Sequence, residues 1–80
     1  MVTIELGEIK TEMDYCVMSE DPIKFGIGIK ITDPLWTKIK KEKKFLFDHI
    51  EAKITDEIDI GDRTWFIFEL KNQKISKNYI

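Results

Sequence analysis

The stretch Asp33–Ile50, DPLWTKIKKEKKFLFDHI, decides how this chain folds. Five lysines and one glutamate take six of the seven positions 38–44, between a tryptophan and two phenylalanines. Read as a helix, the stretch has a carboxylate N-cap in Asp33. Pro34 then stands at the first helical position, where no amide bond is missed. At about 100° per residue, Leu35, Trp36, Ile39, Leu46, Phe47, Ile50 and Ile54 fall within an arc of roughly 120°. Only Lys43 interrupts that stripe, and its stem can lie along apolar surface with the amine in water. A competing reading stops the helix near Lys44 and runs a strand from Phe45 to Thr55, because Ile50, Ala52 and Ile54 alternate. No glycine lies between Gly28 and Gly61 to end a helix. The long helix is therefore the expectation carried forward.

Upstream, the pattern changes to period two. Val2, Ile4 and Leu6 alternate, and the phase slips at Gly7, which predicts a bulge. Met13, Tyr15 and Val17 alternate next, with Cys16 and Met18 on the opposite face. Ser19–Pro22 is a turn, since proline offers no amide to a ladder. The clearest strand follows, with Ile23, Phe25, Ile27, Ile29 and Ile31 apolar at every second position. Gly26 and Gly28 share its other face, and two glycines there leave a smooth strip that admits a crossing aromatic ring. Without a third glycine or a helix opening after them, they form no phosphate loop.

Downstream, Gly61-Asp62 predicts a tight hairpin. Trp65 and Ile67 then face one way, while Phe66, Phe68 and Leu70 face the other. Residues 71–74 read as a turn and 75–80 as a short edge strand. The expected fold is α+β, in the order βββαββ with room for a C-terminal edge strand. It is a small, mainly antiparallel sheet of five or six strands with one amphipathic helix packed on one face. Residues 1–80 are expected to form a single globular domain.

The net charge of −2 hides blocks. Residues 1–23 carry −5, residues 24–47 carry +5, residues 48–69 carry −5 and the rest carry +3. Fourteen isoleucines against four leucines, with twelve lysines and one arginine, look like the product of an AT-rich coding sequence. The single cysteine, Cys16, excludes an internal disulfide and suits a buried, inert thiol. The first residues carry acids and lack a long apolar core, so no signal peptide is expected there. No apolar run is long enough to span a bilayer, and a cytoplasmic location is the expectation.

Chemistry finds little purchase. His49 is the sole histidine, and a Cys16–His49 nucleophile pair would require them to meet in space. The acids Asp56, Glu57, Asp59 and Asp62 do not follow the ligand spacing of a calcium loop, and zinc spacing is absent. No catalytic residue, metal or cofactor is expected. The remaining signal is a surplus of apolar faces, with Trp65 and Ile67 pointing away from the helix-covered side. On that basis the chain reads as a small non-enzymatic protein-binding module, self-associating as a homodimer or docking on another protein. An inhibitor or modulator encoded by a virus or mobile element is one such role. Trp65, Ile67, Phe45, Lys41 and Lys44 are its expected contact residues. The alternative is a nucleic-acid accessory protein in which Lys38, Lys40, Lys41 and Lys44 bind phosphates and Phe45 stacks on a base.

Overall fold

In the computed structural model, which describes residues 1–80, Lys43 settles the question posed by the central stretch. It adopts a left-handed conformation (φ 58°, ψ 25°), and its amide donates to the Ile39 carbonyl at 2.8 Å. Helix α1 therefore ends after Pro34–Glu42, closed by a lysine doing what a glycine usually does. Its start is as expected, with the Asp33 carboxylate accepting from the Leu35 amide at 2.9 Å. Beyond Lys43 the chain is extended. Phe45 and Phe47 point into the core, while Lys44 and Leu46 point out. The apolar residues beyond Lys43 that completed the helical stripe thus belong to two strands, where Phe47 faces the core and Leu46 faces out.

Seven strands result: β1 Val2–Leu6, β2 Ile9–Met13, β3 Cys16–Glu20, β4 Ile23–Lys30, β5 Lys44–Phe47, β6 Ile50–Ile60 and β7 Arg63–Leu70. They form one antiparallel sheet in the order β2-β1-β5-β6-β7-β4-β3. This corrects the α+β expectation. The protein is mostly β, with only α1 and a four-residue helix α2 (Gln73–Ser76), followed by a 3-10 turn at Lys77–Tyr79. The slip at Gly7 is not a bulge but a two-residue hairpin. Leu6 pairs with Ile9, and Gly7 takes φ +62°, a value that favours glycine.

One short connection forces the sheet to curl. β2 and β3 lie at its opposite edges, yet only Asp14 and Tyr15 join them. A flat sheet of seven strands would hold its edges about 29 Å apart at about 4.8 Å per strand. Two residues bridge far less than that, at about 3.5 Å each. The sheet therefore wraps into an open barrel whose inner face carries Ile4, Phe25, Ile27, Ile29, Phe45, Phe47, Ala52, Phe66 and Phe68. Rings dominate that interior. Phe25 stacks on Phe47 at 5.9 Å, and Phe45 meets Phe68 edge-on at 4.9 Å.

Each end of the barrel has its own cover. α1 closes the end where β4 leaves and β5 enters, burying Leu35 and Ile39 completely. The last ten residues, expected as a turn and an edge strand, instead cover the opposite end. The Lys71 amide donates to the Glu51 carbonyl at 3.0 Å, and the Tyr79 ring lies edge-on to Tyr15, Phe25 and Phe47. The Tyr15 hydroxyl donates to the Tyr79 carbonyl at 3.0 Å, and the Tyr79 hydroxyl donates to Asp48 Oδ2 at 2.7 Å. No helix is long and apolar enough to cross a membrane.

Candidate ligand-binding face

The outer face of β3, β4, β7 and β6 is where the surplus apolar side chains gather. Its centre is the glycine strip of β4. A Cβ built on Gly28 would stand 2.8, 2.9 and 3.2 Å from Cε2, Cζ2 and Cδ2 of Trp65. Near-equal distances to three ring atoms mean that the indole lies face-on over the Gly28 backbone. Gly26 continues the strip beneath Met18, whose Cγ and Sδ would lie 2.9 and 3.0 Å from an added Cβ. One face of the indole is thus packed on the sheet and the other is turned outward.

Register sets the neighbours of that ring. Ile58 is directly opposite Trp65 across the β6–β7 ladder, and Ile60 is opposite Arg63. A shift between Ile54 and Asp56 is what turns them outward. It leaves Ala52 and Ile54 facing inward before it and Ile58 and Ile60 facing outward after it. Met18 and Ile58 are each 43% exposed, so the row Met18, Trp65, Ile58 is an accessible apolar shelf rather than core. Ile67 lies in the same face but is buried.

Positive charge closes one end of the shelf. Arg63 Nη1 donates to the Gly28 carbonyl at 3.2 Å, and Lys30 pairs with Arg63 in register. A guanidinium has five N–H donors, so this single bond leaves it free to meet an anion. Beneath, on the inner side of β7, Trp36 Nε1 donates to Thr64 Oγ1 at 2.8 Å. Thr64 Oγ1 donates in turn to Asp59 Oδ1 at 2.7 Å. That relay satisfies a fully buried threonine and ties α1 to the two strands that carry the shelf.

The residues expected from sequence scatter over the fold. Trp65 and Ile67 do share the outer face, as their alternation implied. Phe45 does not join them: it is 2% exposed inside the barrel and offers no ring to a base or a partner. The lysines divide. Lys40 and Lys43 reach Glu57 at 2.7 and 3.8 Å, Lys38 lies by the Gly7 turn, Lys41 is exposed on α1, and Lys44 is opposite Lys53 on β6. The hydrogen bond to Glu57 holds the Lys40 amine above its ordinary titration range. Cys16 is exposed at the start of β3, not buried. His49 sits in the β5–β6 turn with Nδ1 3.0 Å from Glu5 Oε1, far from the shelf. Met18 was expected on this face with Trp65 and Ile67, though not as a contact residue, while Arg63 and Ile58 were missed. The glycine strip was the signal that could have found their place.

No protein-family model matches the chain, and no curated protein matches it in sequence. Its fold is similar to a solved structure described as flavin reductase PheA2 in the native state. The TM-score is 0.69 at 17% identity, over 89% of this chain and 74% of that one. At that identity the likeness concerns the fold. It nevertheless overturns the expectation of a non-enzymatic protein-binding module, self-associating inhibitor or nucleic-acid accessory protein, because the fold is one that an enzyme uses. The two ideas also lose their common feature, since Phe45 is core.

Proposed function

We propose that this chain is a flavin-binding barrel. In this reading the isoalloxazine ring stacks on the outer face of Trp65, and a phosphate tail meets Arg63 and Lys30. The observation that carries the reading is the indole held flat on the glycine strip, with apolar neighbours beside it and a guanidinium at one end. The fold likeness to a flavin reductase supports it.

The residues fit such a ligand. A planar tricyclic ring needs a flat apolar wall, and the shelf crosses four strands at about 4.8 Å each. Gly26 and Gly28 form a cradle that a Cβ would fill, and Trp65 and Met18 occupy it, so the wall is in place before any ligand arrives. A bound flavin would supply hydride and electron transfer. The chain's own part is to orient the ring through Trp65 and Ile58 and to neutralise the phosphate through Arg63 and Lys30.

Titration with FMN and with riboflavin, read by flavin absorbance and fluorescence, tests this. Saturable binding of both is expected, with FMN the tighter. Trp65→Ala should weaken both by about 5- to 150-fold, as loss of a stacked ring worth about 1–3 kcal/mol predicts. Arg63→Gln should weaken FMN alone. A far-UV dichroism spectrum and an unfolding midpoint check that Trp65→Ala remains folded. Absence of saturable FMN binding by the folded wild-type chain would overturn the proposal.

A further inference from the structure

The apolar shelf contains a side chain whose chemistry can be changed after folding. β3 and β4 pair as Val17–Phe25 and then as Ser19–Lys24, and Met18 is the extra residue between those pairs. The bulge leaves it on the outer face, 43% exposed. Its Cγ and Sδ stand 2.9 and 3.0 Å from the point a Gly26 Cβ would occupy, and Trp65 Cε3 stands 3.7 Å from the same point. Thioether and indole edge therefore lie side by side over Gly26.

The other two methionines have different surroundings. Met13 pairs with Val2 on β2 and is half-buried against the core. Met1 is 82% exposed ahead of β1. Met18 alone combines an accessible sulfur with a place beside Trp65.

Oxidation would change what that sulfur can pack against. A sulfoxide turns a flexible apolar side chain into a polar, chiral one. Its oxygen needs a hydrogen-bond donor or water. The register neighbours of Gly26 are Cys16 and Ile67, which offer at best a weak thiol donor. Holding the oxygen against the strip would leave it unpaired, a larger penalty than the loss of one sulfur–ring contact. The oxidised side chain therefore turns out to water, and Trp65 loses its neighbour on that edge.

We infer that Met18 is a reversible oxidation site whose sulfoxide takes the apolar shelf apart. Hydrogen peroxide is the oxidant. One peroxide oxygen bonds to the sulfur as the O–O bond breaks, the sulfur gives up two electrons, and the other oxygen leaves as water. A methionine sulfoxide reductase supplied with a dithiol reverses the step, releasing the oxygen as water and forming a disulfide in the reductant.

Peroxide treatment of the folded chain tests this, in a Cys16→Ala background that removes the exposed thiol as a competing site. Peptide mass mapping should find Met18 oxidised well ahead of Met13. Tryptophan emission should move to longer wavelength in step with Met18 oxidation and return after reductase treatment. That shift should be absent from Met18→Leu and from Trp65→Phe, which assigns it to this pair rather than to Met1 or Trp36. FMN affinity should fall about two- to tenfold, as loss of one sulfur–ring contact predicts. Only this last measurement rests on the flavin reading. If the untreated chain binds no FMN, that reading fails, and mapping and emission decide the present inference by themselves. Met18 oxidised no faster than Met13, unchanged emission once Met18 is fully oxidised, or the same response in Met18→Leu would each overturn it. Unchanged affinity after oxidation of a chain that does bind FMN would overturn it too.

Discussion

Gly28→Ala isolates the contact on which the proposed platform rests. The new methyl carbon would stand 2.8 and 2.9 Å from two ring atoms of Trp65, closer than carbon atoms pack. Overpacking of this kind costs about 1–3 kcal/mol. Alanine at a strand position also restricts the unfolded chain, which returns about 0.4–1 kcal/mol. The outer side of the indole is open, so the ring should tilt outward rather than displace β4. That places the net loss near about 1 kcal/mol, at the low end of the overpacking range. With Trp65→Ala as background the clash is gone, and the same substitution should stabilise by about 0.5 kcal/mol. The coupling between the two positions is then about 1.5 kcal/mol, well above the few tenths expected of independent sites. Urea unfolding followed by far-UV dichroism on the four members of the cycle measures it. For a domain this small, about 1 kcal/mol corresponds to a midpoint shift near 1 M. The same cost in both backgrounds, or a Gly28→Ala variant more stable than wild type, would refute the face-on stacking. A tilted ring should also weaken FMN binding in Gly28→Ala, which joins the stability experiment to the functional one.

Other outcomes follow from single features of the fold. Lys43→Gly should raise stability by about 0.5–1 kcal/mol in thermal or urea melts, because a left-handed conformation costs a lysine what glycine does not suffer. Tyr79 titrates at about 12, pushed up by its hydrogen bond to Asp48 and then by burial. Its neutral form is therefore favoured by folding. The resulting stabilisation is complete below the ordinary phenol value of 10.0 and is lost as pH rises through about 12. The stability gap between wild type and Tyr79→Phe should close across that window, and the last phenolate absorbance step should vanish in the variant. Phe45→Ala should cost about 3–5 kcal/mol, most of what a domain of this size has to lose. Lys41→Glu, on the exposed side of α1, should stay within about 0.5 kcal/mol of wild type. A folded, stable Phe45→Ala would show that the ring is not in the barrel.

Several elements were legible because neighbouring residues determine them. The alternation from Ile23 to Ile29, the Asp33 cap with Pro34, the Gly61-Asp62 hairpin and the opposed faces of β7 all appear as read. The glycine strip was legible too, down to the crossing ring, although Trp65 could not be singled out as that ring. The stretch from Phe45 to Ile54 was not. Leu46, Phe47, Ile50 and Ile54 satisfy a helical arc and fit a strand-turn-strand as well, and local pattern does not separate the two.

What separates them is pairing with residues far along the chain. Phe45 is opposite Ala52 within the stretch, while Ala52 is opposite Leu70 and Phe47 is opposite Ile4, so this stretch is strand because two other segments have hydrogen bonds to share with it. The curl of the sheet has the same origin, since two residues between opposite edges mean nothing until the strand order is known. By itself the sequence determined the helix start at Asp33-Pro34, the Gly61-Asp62 hairpin, the apolar faces of β4 and β7 and where an aromatic ring could lie flat. Tertiary structure alone decided that Phe45 is core, that the lysine run is split between a short helix and a strand, and that Met18 lies beside Trp65 over Gly26. Turn and cap preferences act over a few residues, whereas ladder hydrogen bonds join segments whose separation in sequence carries no local mark.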